Sequence, residues 1–463
     1  MDLKGIKIQK LFGQFDYTIS LNQEVGITIL SGPNGYGKTT ILNIIYNFFK
    51  QNFFFFQRLI FDDIIFYFSE DKNVVMTREV LVQFVQSAQH INGQQREVAQ
   101  VHPFINIRLD LKHEEKLFES YLFDSFAEDR IFFNISKMYP SMQRISQTIL
   151  LDSNTGIQSA IENFMLRIPQ ETIAVINGFT KDNNQIPQLV SILSSVNVFL
   201  IEEQRLLRPI KIFDTFTNSN KNNSSISYTI QNYAMELKEL IHRKQAEAFQ
   251  ESQKLDNSFP NRLMQNVKRL SLEEFNARFI ALTEKQQQLQ EFGITLSNIQ
   301  TPEFFNENKA DVLSVYLDDA EKKAGFFDDL VERINLFVAM INDKKFAHKQ
   351  MVINSHSGFG FITNEGNELG LISLSSGEQH EIVVLYELLF RTEHNALILI
   401  DEPEISLHVS WQKAFIKDLL SISKINPISF LLATHSPQII NGRWNLTTDL
   451  YELVNGEESS DSE

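Results

Sequence analysis

Residues 32–40 read GPNGYGKTT, a full G-x-x-x-x-G-K-[ST] phosphate loop, yet the segments able to complete a site around it lie at the far end of the chain. Ala396 to Glu404 reads ALILIDEPE, Leu374 to Gln379 reads LSSGEQ, and 362 positions separate Thr39 from Asp401. The pattern describes a nucleotide site split in two, with a large insertion between its halves.

The surroundings of the loop suit phosphate. Gly26 to Leu30 is a nearly continuous apolar run, as a buried parallel strand requires. Ile41, Leu42, Ile44, Ile45, Phe48 and Phe49 then follow helical spacing. Gly32, Gly35 and Gly37, with Asn34 and Thr40 in the same loop, allow consecutive N–H groups to wrap an anion at a helix N-terminus. Lys38 is placed to reach the β- and γ-phosphates, and Thr39 to hold Mg²⁺. Leu397 to Ile400 is an apolar strand ending in Asp401 and Glu402. Asp401 is assigned to the metal through water and Glu402 to polarise the attacking water as general base. Ile428 to Ala433 is a further buried strand, ending in Thr434, His435 and Ser436, where His435 can contact a γ-phosphate. Ser376 and Gly377 open a helix expected over Glu378 to Phe390, offering a hydroxyl and free N–H groups to an anion. Alone, the two acids are equally a solvated strand-end turn, SSGE an ordinary serine cap, and the histidine a packed or capping one. Their joint occurrence in one order carries the reading.

Bulk properties narrow the rest. The 463 residues call for two or three domains, and 43% hydrophobic content supports sizeable cores. Aromatic content is skewed to Phe, with 39 against 2 Trp. A formal charge of −16 disfavours nucleic-acid binding over the whole surface, so DNA contact must come from a local basic patch or a partner. The absence of Cys excludes disulfides, thiolate zinc sites and a cysteine nucleophile. MDLKGIKIQK lacks the apolar core of a signal peptide, and no apolar run approaches the ~18 residues of a membrane span. The expectation is a soluble cytoplasmic protein.

Along the chain, Ile6–Ile8, Tyr17–Leu21, Ile64–Phe68 and Asn197–Ile201 read as strands. The stretch between Phe68 and Val196 shows no clear period. Asn218–Ser227 is polar and low in complexity, as an exposed loop is. Tyr228 to Lys349 is predominantly helical, with a capping box at Ser271 and Glu274 and an amphipathic run from Phe326 to Phe346 that puts Leu330, Ile334, Phe337 and Met340 on one face. Heptads are not sustained, so the expectation is a compact arm or short hairpin rather than an extended coiled coil. Strands resume at Met351–Asn354 and Phe359–Thr363, and the chain ends in an acidic EESSDSE. The domain expectation is a head in two parts, 1–215 and 350–455, split by an arm at 216–349 and followed by a tail at 456–463.

Together GPNGYGKTT, LSSGEQH, LILIDEPEISLH and ATHSP resemble the ABC-ATPase superfamily, in the branch with SMC, RecF and OLD-family proteins. The resemblance covers about 1–50 and 350–445 well, and the middle only in layout, with EEQRLL similar to a family strand. It implies an α/β fold, an ABC-type P-loop ATPase head with a mixed sheet and helices, split by a mainly helical insertion. It further implies ATP and Mg²⁺ as cofactors and slow, switch-like hydrolysis. Ser376, Gly377 and Glu378 would act in trans on a second protomer's ATP, making a homodimer or higher oligomer, with Ser406, Leu407 and His408 between subunits. The sequence does not place the family's Q-loop glutamine; Gln57 is a candidate. OLD nucleases carry a Toprim domain after the ATPase, but 28 residues follow His435 here, and no H-E-x-x-H or H-N-H-like cluster occurs among the ten His. A nuclease would then be a separate chain. In this the sequence resembles the ATPase components of bacterial anti-phage systems such as Septu, whose ATPase works with an HNH nuclease. DNA would be reached through that partner, and no membrane is involved. The alternative is an SMC/RecF-type DNA-binding repair ATPase acting without a nuclease. A transporter motor fits less well, because the insertion is too large. Among the basic residues of the arm, Arg262, Lys268, Arg269, Lys344 and Lys345 could contact DNA, but a solvated helix face is the reading favoured over it.

Overall fold

The computed structural model describes residues 2–91, 94–123, 127–146, 149–154, 156, 158–166, 168, 172–173, 176–177, 188–201, 207–209, 226–264, 270–294, 309–344, 346, 348–407 and 409–456. EEQRLL up to residue 206, most of the polar loop before residue 226, Lys268, Arg269, Lys345, His408 and the acidic tail from residue 457 lie outside the described residues.

From the N-terminus the chain forms β1 (Leu3–Leu11), β2 (Phe15–Ser20), β3 (Ile27–Ser31), α1 (Lys38–Phe49), α2 (Phe53–Arg58), β4 (Asp63–Phe68), β5 (Lys72–Ile91), β6 (Gln94–His113), β7 (Lys116–Phe123) and, after shorter segments, β8 (Val198–Ile201). The long helices α3 (Thr229–Leu263), α4 (Leu272–Glu291), α5 (Ala310–Gly325) and α6 (Asp328–Asp343) follow. Next come β9 (Lys349–Asn354), β10 (Gly358–Thr363), α7 (Ser376–Tyr386), β11 (Leu397–Asp401), α8 (Val409–Ile425), β12 (Ser429–Ala433) and β13 (Thr447–Asp449). The chain divides into two compact units, one of residues 1–202, 393–405 and 426–463, the other of residues 203–392 and 406–425. The stretches 350–392 and 406–425 thus group with the helical arm.

The first unit holds an all-parallel sheet in the order β8-β11-β12-β3-β13. Its central strands are apolar runs because both faces are covered, and all five residues of β3 are buried. A second, antiparallel sheet runs β2-β1-β4-β5-β6-β7. Helix α1 shares one core with residues of both sheets: Ile41, Leu42, Ile44, Ile45, Phe48 and Phe49 are fully buried, and the Phe48 ring stacks on Phe66 of β4 at 3.6 Å. Each such side chain contributes about 1.5–3 kcal/mol by leaving water. The run Phe53–Phe56 becomes α2, and Phe53, Phe54 and Phe56 join this core beside Phe61 and Phe68.

The stretch without clear period holds a long hairpin. β5 and β6 pair continuously from Lys72↔His113 to Ile91↔Gln94. β4 covers β5 only from Asn73 to Thr77, and β7 covers β6 only from Ile107 to His113. Beyond Glu79 and Asn106 the ribbon is therefore two-stranded among the described residues. Asn92-Gly93, the dipeptide between the last pair, is the hairpin signal in the sequence.

In the second unit α3, 35 residues and about 52 Å long, runs antiparallel to α5, as the pairs Arg262–Asp319 and Asp256–Lys323 require. α4 runs parallel to α5, with Arg278 bridging Asp318 and Glu321 and Lys285 bridging Asp328. Leu270, Phe275, Leu282, Leu313, Leu317, Ala320 and Ala324 form the core between them. The result is the compact arm expected, with the Ser271–Glu274 capping box and the apolar face of α6 in place. β9 and β10 pair antiparallel; a Cβ at Gly358 (φ +77°) would stand 1.8 Å from the Ala234 carbonyl oxygen of α3, so only glycine fits. Among the described residues no helix is long and apolar enough to cross a membrane.

Candidate functional site

The register of the parallel sheet builds the site. Asp401 of β11 pairs with Ala433 of β12, and Ala433 with Leu30 of β3, so three neighbouring strands end at one level. The loops leaving those ends converge there, where open parallel sheets place ligands. One loop carries the glycines of the G-x-x-x-x-G-K-[ST] motif, the second Asp401 and Glu402, the third His435.

Gly32, Gly35 and Gly37 have φ of +133°, +88° and +81°, values that glycine adopts without strain. Gly37 caps α1 without a side-chain bond, which leaves the first N–H groups of the helix facing an incoming anion. Lys38 Nζ donates to the carbonyls of Gly32 (2.8 Å) and Pro33 (3.1 Å) and lies 3.3 Å from His435 Nδ1. Burial holds its pKa below the usual lysine range, against the opposing pull of Glu402, Asp401, Glu404 and Asp449. Thr39 Oγ1 donates to Asp401 Oδ1 at 3.1 Å. These are two hard oxygens at the helix start beside the phosphate loop, the donor type and place that Mg²⁺ takes in phosphate-loop enzymes.

Glu402 adopts φ +42°, a conformation uncommon for a residue with a side chain, and its N–H donates to the Ala433 carbonyl at 2.9 Å. Its Oε1 lies 3.5 Å from His435 Nε2. Because an ammonium can only donate, the Lys38 contact makes His435 Nδ1 an acceptor, which places the imidazole proton on Nε2, facing Glu402. A cavity of about 240 Å³ lies over this arrangement. Asn34, Gly35, Gly37, Lys38, Thr39 and Thr40 line it, as do Glu402 and His435. Gly32 and Asp401 meet the same group through Lys38 and Thr39.

Three residues near this group have no role in the sequence reading, although one of them, Glu404, lies within ALILIDEPE. Phe12, exposed at 39%, lines the cavity from the turn between β1 and β2. Asp449, at the end of β13, accepts from Ser31 Oγ at 3.1 Å. Glu404 accepts from Thr434 Oγ1, His435 N and Ser436 N. Gln57 does not line the cavity; its amide donates to the Ile105 carbonyl of β6 at 3.3 Å.

In the second unit the cap of α7 falls one residue earlier than expected. Ser375, not Ser376, is the N-cap: its Oγ accepts from Glu378 N (3.3 Å), and the Glu378 carboxylate accepts from Ser375 N (2.8 Å). The helix is regular to Tyr386 and then widens into a π-turn over Glu387–Arg391, where a helix through Phe390 was expected. Ser376 is exposed, with its hydroxyl released from capping, and Gly377 is half-buried. Glu378 is buried and bound to Lys349 Nζ at 2.9 and 3.0 Å. Burial pushes its carboxyl up, and the Lys349 and Ser375 bonds outweigh this and hold it below the usual range. Further along α7, Glu381 (1% exposed) pairs with Lys344, which also meets Asp418 of α8 at 2.8 Å. Glu387, fully buried, accepts from Tyr233 of α3, whose hydroxyl also accepts from Arg391 at 2.9 Å. The arm's described basic candidates are thereby engaged internally: Lys344 in this cluster and Arg262 with Asp319.

The AAA ATPase domain family matches residues 1–440 of this chain. The chain belongs to that family. It is an ATPase, with the α/β head and helical insertion that the motif layout implied. A relative in Vibrio cholerae serotype O1 biovar El Tor, the Retron Vc95 probable ATPase, is 22% identical over 383 residues, covering 69% of this chain and 71% of the relative. Among solved structures, the Pyrococcus furiosus Smc head domain with an extended coiled coil bound to the C-terminal domain of ScpA aligns with a TM-score of 0.32 at 12% identity, over 95% of this chain and 90% of that one. The SMC head domain from Thermotoga maritima gives 0.31 at 11%, over 95% and 91%.

Proposed function

We propose that this ATPase is a nucleotide-driven switch that controls a separate nuclease subunit in bacterial anti-phage defence. Lys38 and the N–H groups of the loop bind the phosphates, and Thr39 and Asp401 would hold Mg²⁺, which would supply charge neutralisation to the phosphates. Glu402 takes the proton of the attacking water, with His435 beside it at the γ-phosphate. The observation that carries the ATP chemistry is the convergence of Lys38, Thr39, Asp401, Glu402 and His435 at three strand ends.

The exposed Ser376 and half-buried Gly377 act on the ATP of a second protomer, so the active unit is at least a dimer. Glu378 supports them from within the helix cap. Mixing Lys38→Ala with Ser376→Arg protomers gives dimers with one site carrying both lesions and one carrying neither, and ATPase activity partly recovers. Mixed dimers shown to form yet wholly inactive would contradict composition in trans.

A relative named as the ATPase of a retron supports a role as one component of a larger system. The arm supports a mechanical output: its helices α3 and α6 lead to Tyr233 and Lys344, which bind Glu387 and Glu381 at the far end and middle of α7. Purification from the native operon, from the cytoplasm, recovers a nuclease of HNH type with this chain, and deleting the arm abolishes the association. Recovery of this chain alone, binding DNA by itself, favours the SMC/RecF-type repair ATPase.

A further inference from the structure

Three donors converge on one oxygen between the second and third loops of the nucleotide site. Glu404 Oε1 accepts from Thr434 Oγ1 at 2.8 Å, from His435 N at 2.8 Å and from Ser436 N at 3.1 Å. Ser436 N also reaches Thr434 Oγ1 at 2.9 Å, and Thr434 is fully buried. Glu404 stands two residues beyond Glu402, in the short helical turn Pro403–Ser406 that leaves β11, and its donors leave the end of β12.

These contacts close a bracket. At one end Glu402 N bonds the Ala433 carbonyl, main chain to main chain; at the other the Glu404 carboxylate holds the following three residues. Between them the Glu402 carboxylate and the His435 imidazole face each other at 3.5 Å. Bonds to a carboxylate are roughly twice as strong as neutral ones, and three to a single oxygen fix the peptide of His435 in position and orientation. Glu402 needs such a hold, because its own backbone occupies a region that surroundings must enforce.

We infer that Glu404 is a positioning residue: through the His435 backbone it sets the distance between His435 and Glu402 during hydrolysis. It touches neither phosphate nor water in this scheme. The inference rests on the proposed roles of Glu402 and His435, and it gives a role to a residue that lies within LILIDEPEISLH but to which the resemblance assigns none.

The test is steady-state ATPase kinetics on the full-length chain carrying Glu404→Ala, Glu404→Gln, His435→Ala and the double variant Glu404→Ala/His435→Ala. Displacement of a reacting group by about 1 Å costs about a hundredfold, so Glu404→Ala lowers kcat by roughly that factor and leaves KM for ATP within about twofold. Glutamine keeps an acceptor oxygen, so Glu404→Gln retains most of the activity. The double variant matches His435→Ala, because a residue acting through the histidine has nothing left to position. If Glu404→Ala does not fold, Glu404→Asp, one methylene too short, gives the same kcat loss in a folded chain. A wild-type kcat in Glu404→Ala, or in Glu404→Asp where that variant stands in, beside an impaired His435→Ala overturns this inference alone, as do additive losses in the double variant. A wild-type kcat in His435→Ala overturns the site reading as well.

Discussion

The phosphate-loop region of the first unit and the α7 region of the second are held in place by different means. Around the loop, position is set mainly by backbone: strand register, glycines at positive φ, and Lys38 on two main-chain carbonyls. Around α7 it is set by charge: Lys349 on Glu378, Lys344 between Glu381 and Asp418, and Tyr233 on Glu387. Backbone geometry tolerates the loss of a side chain. A buried ion cluster does not, because deleting one partner leaves the others buried without a counter-charge. A single lysine deletion should thus cost function in one region and folding in the other.

The largest contrast is in ligand binding. Lys38→Ala removes the main cation facing the phosphates and should weaken ATP binding by about 4 kcal/mol, roughly a thousandfold in Kd, with little change in thermal midpoint. Calorimetric titration beside a melting curve measures both. A large fall in melting temperature would show that the loop, too, depends on its lysine for structure.

Lys344→Ala should do the reverse. Removing the partner of fully buried Glu381 should destabilise the protein by about 3 kcal/mol, read from denaturant midpoints at constant slope. Burial already pushes the Glu381 carboxyl up, and without Lys344 it becomes protonated in the folded state. A loss under about 1 kcal/mol would mean that water enters the cluster.

Glu402→Gln sharpens the comparison within the loop region. The amide cannot take a proton, so turnover should fall about a hundredfold while ATP affinity and melting temperature hold. Wild-type turnover in a sensitive phosphate-release assay would remove Glu402 from the role of base.

The smallest effect concerns pH. Glu378 has a folded pKa below its unfolded value, so its contribution is complete above the unfolded value, about 4.3, and is lost as pH falls through the folded one. Glu378→Gln should therefore be about 1 kcal/mol less stable than wild type at neutral pH, and the difference should close in acid. A gap that persists in acid would assign the contribution to shape rather than charge.

Much of the loop region was legible from sequence because its parts are local. A strand, a glycine loop and a helix are written consecutively from Ile27 to Phe49, and Leu397 to Glu402 states its strand and acids in six residues. Features made by distant pairs left no such trace. Lys344 reads as a surface base until Asp418, 74 residues on, is brought to it. Glu404 has no stated role in the sequence and is a triple acceptor only once β11 and β12 lie side by side. The choice of Ser375 over Ser376 as cap depends on Glu378 reaching back three residues, a box that the two adjacent serines could satisfy only in one register. In the hairpin, Ile105 to Lys112 alternates apolar and polar residues strictly, with Ile107, Leu109 and Leu111 buried, but the outer half of the ribbon does not, so the strand period is diluted over the whole stretch.

The place of β3 in its sheet has a consequence for synthesis. Its two neighbours, β12 and β13, follow it by about 400 residues in the sequence and so are made well after β3 and its glycine loop. At about 5–20 residues per second a ribosome needs about 20–80 seconds to cover the intervening 400 or so residues. During that time an apolar strand waits with both hydrogen-bonding edges open, a state prone to mispairing. No fragment ending before β12 can bring together the residues of the nucleotide site, however well its own loop is written.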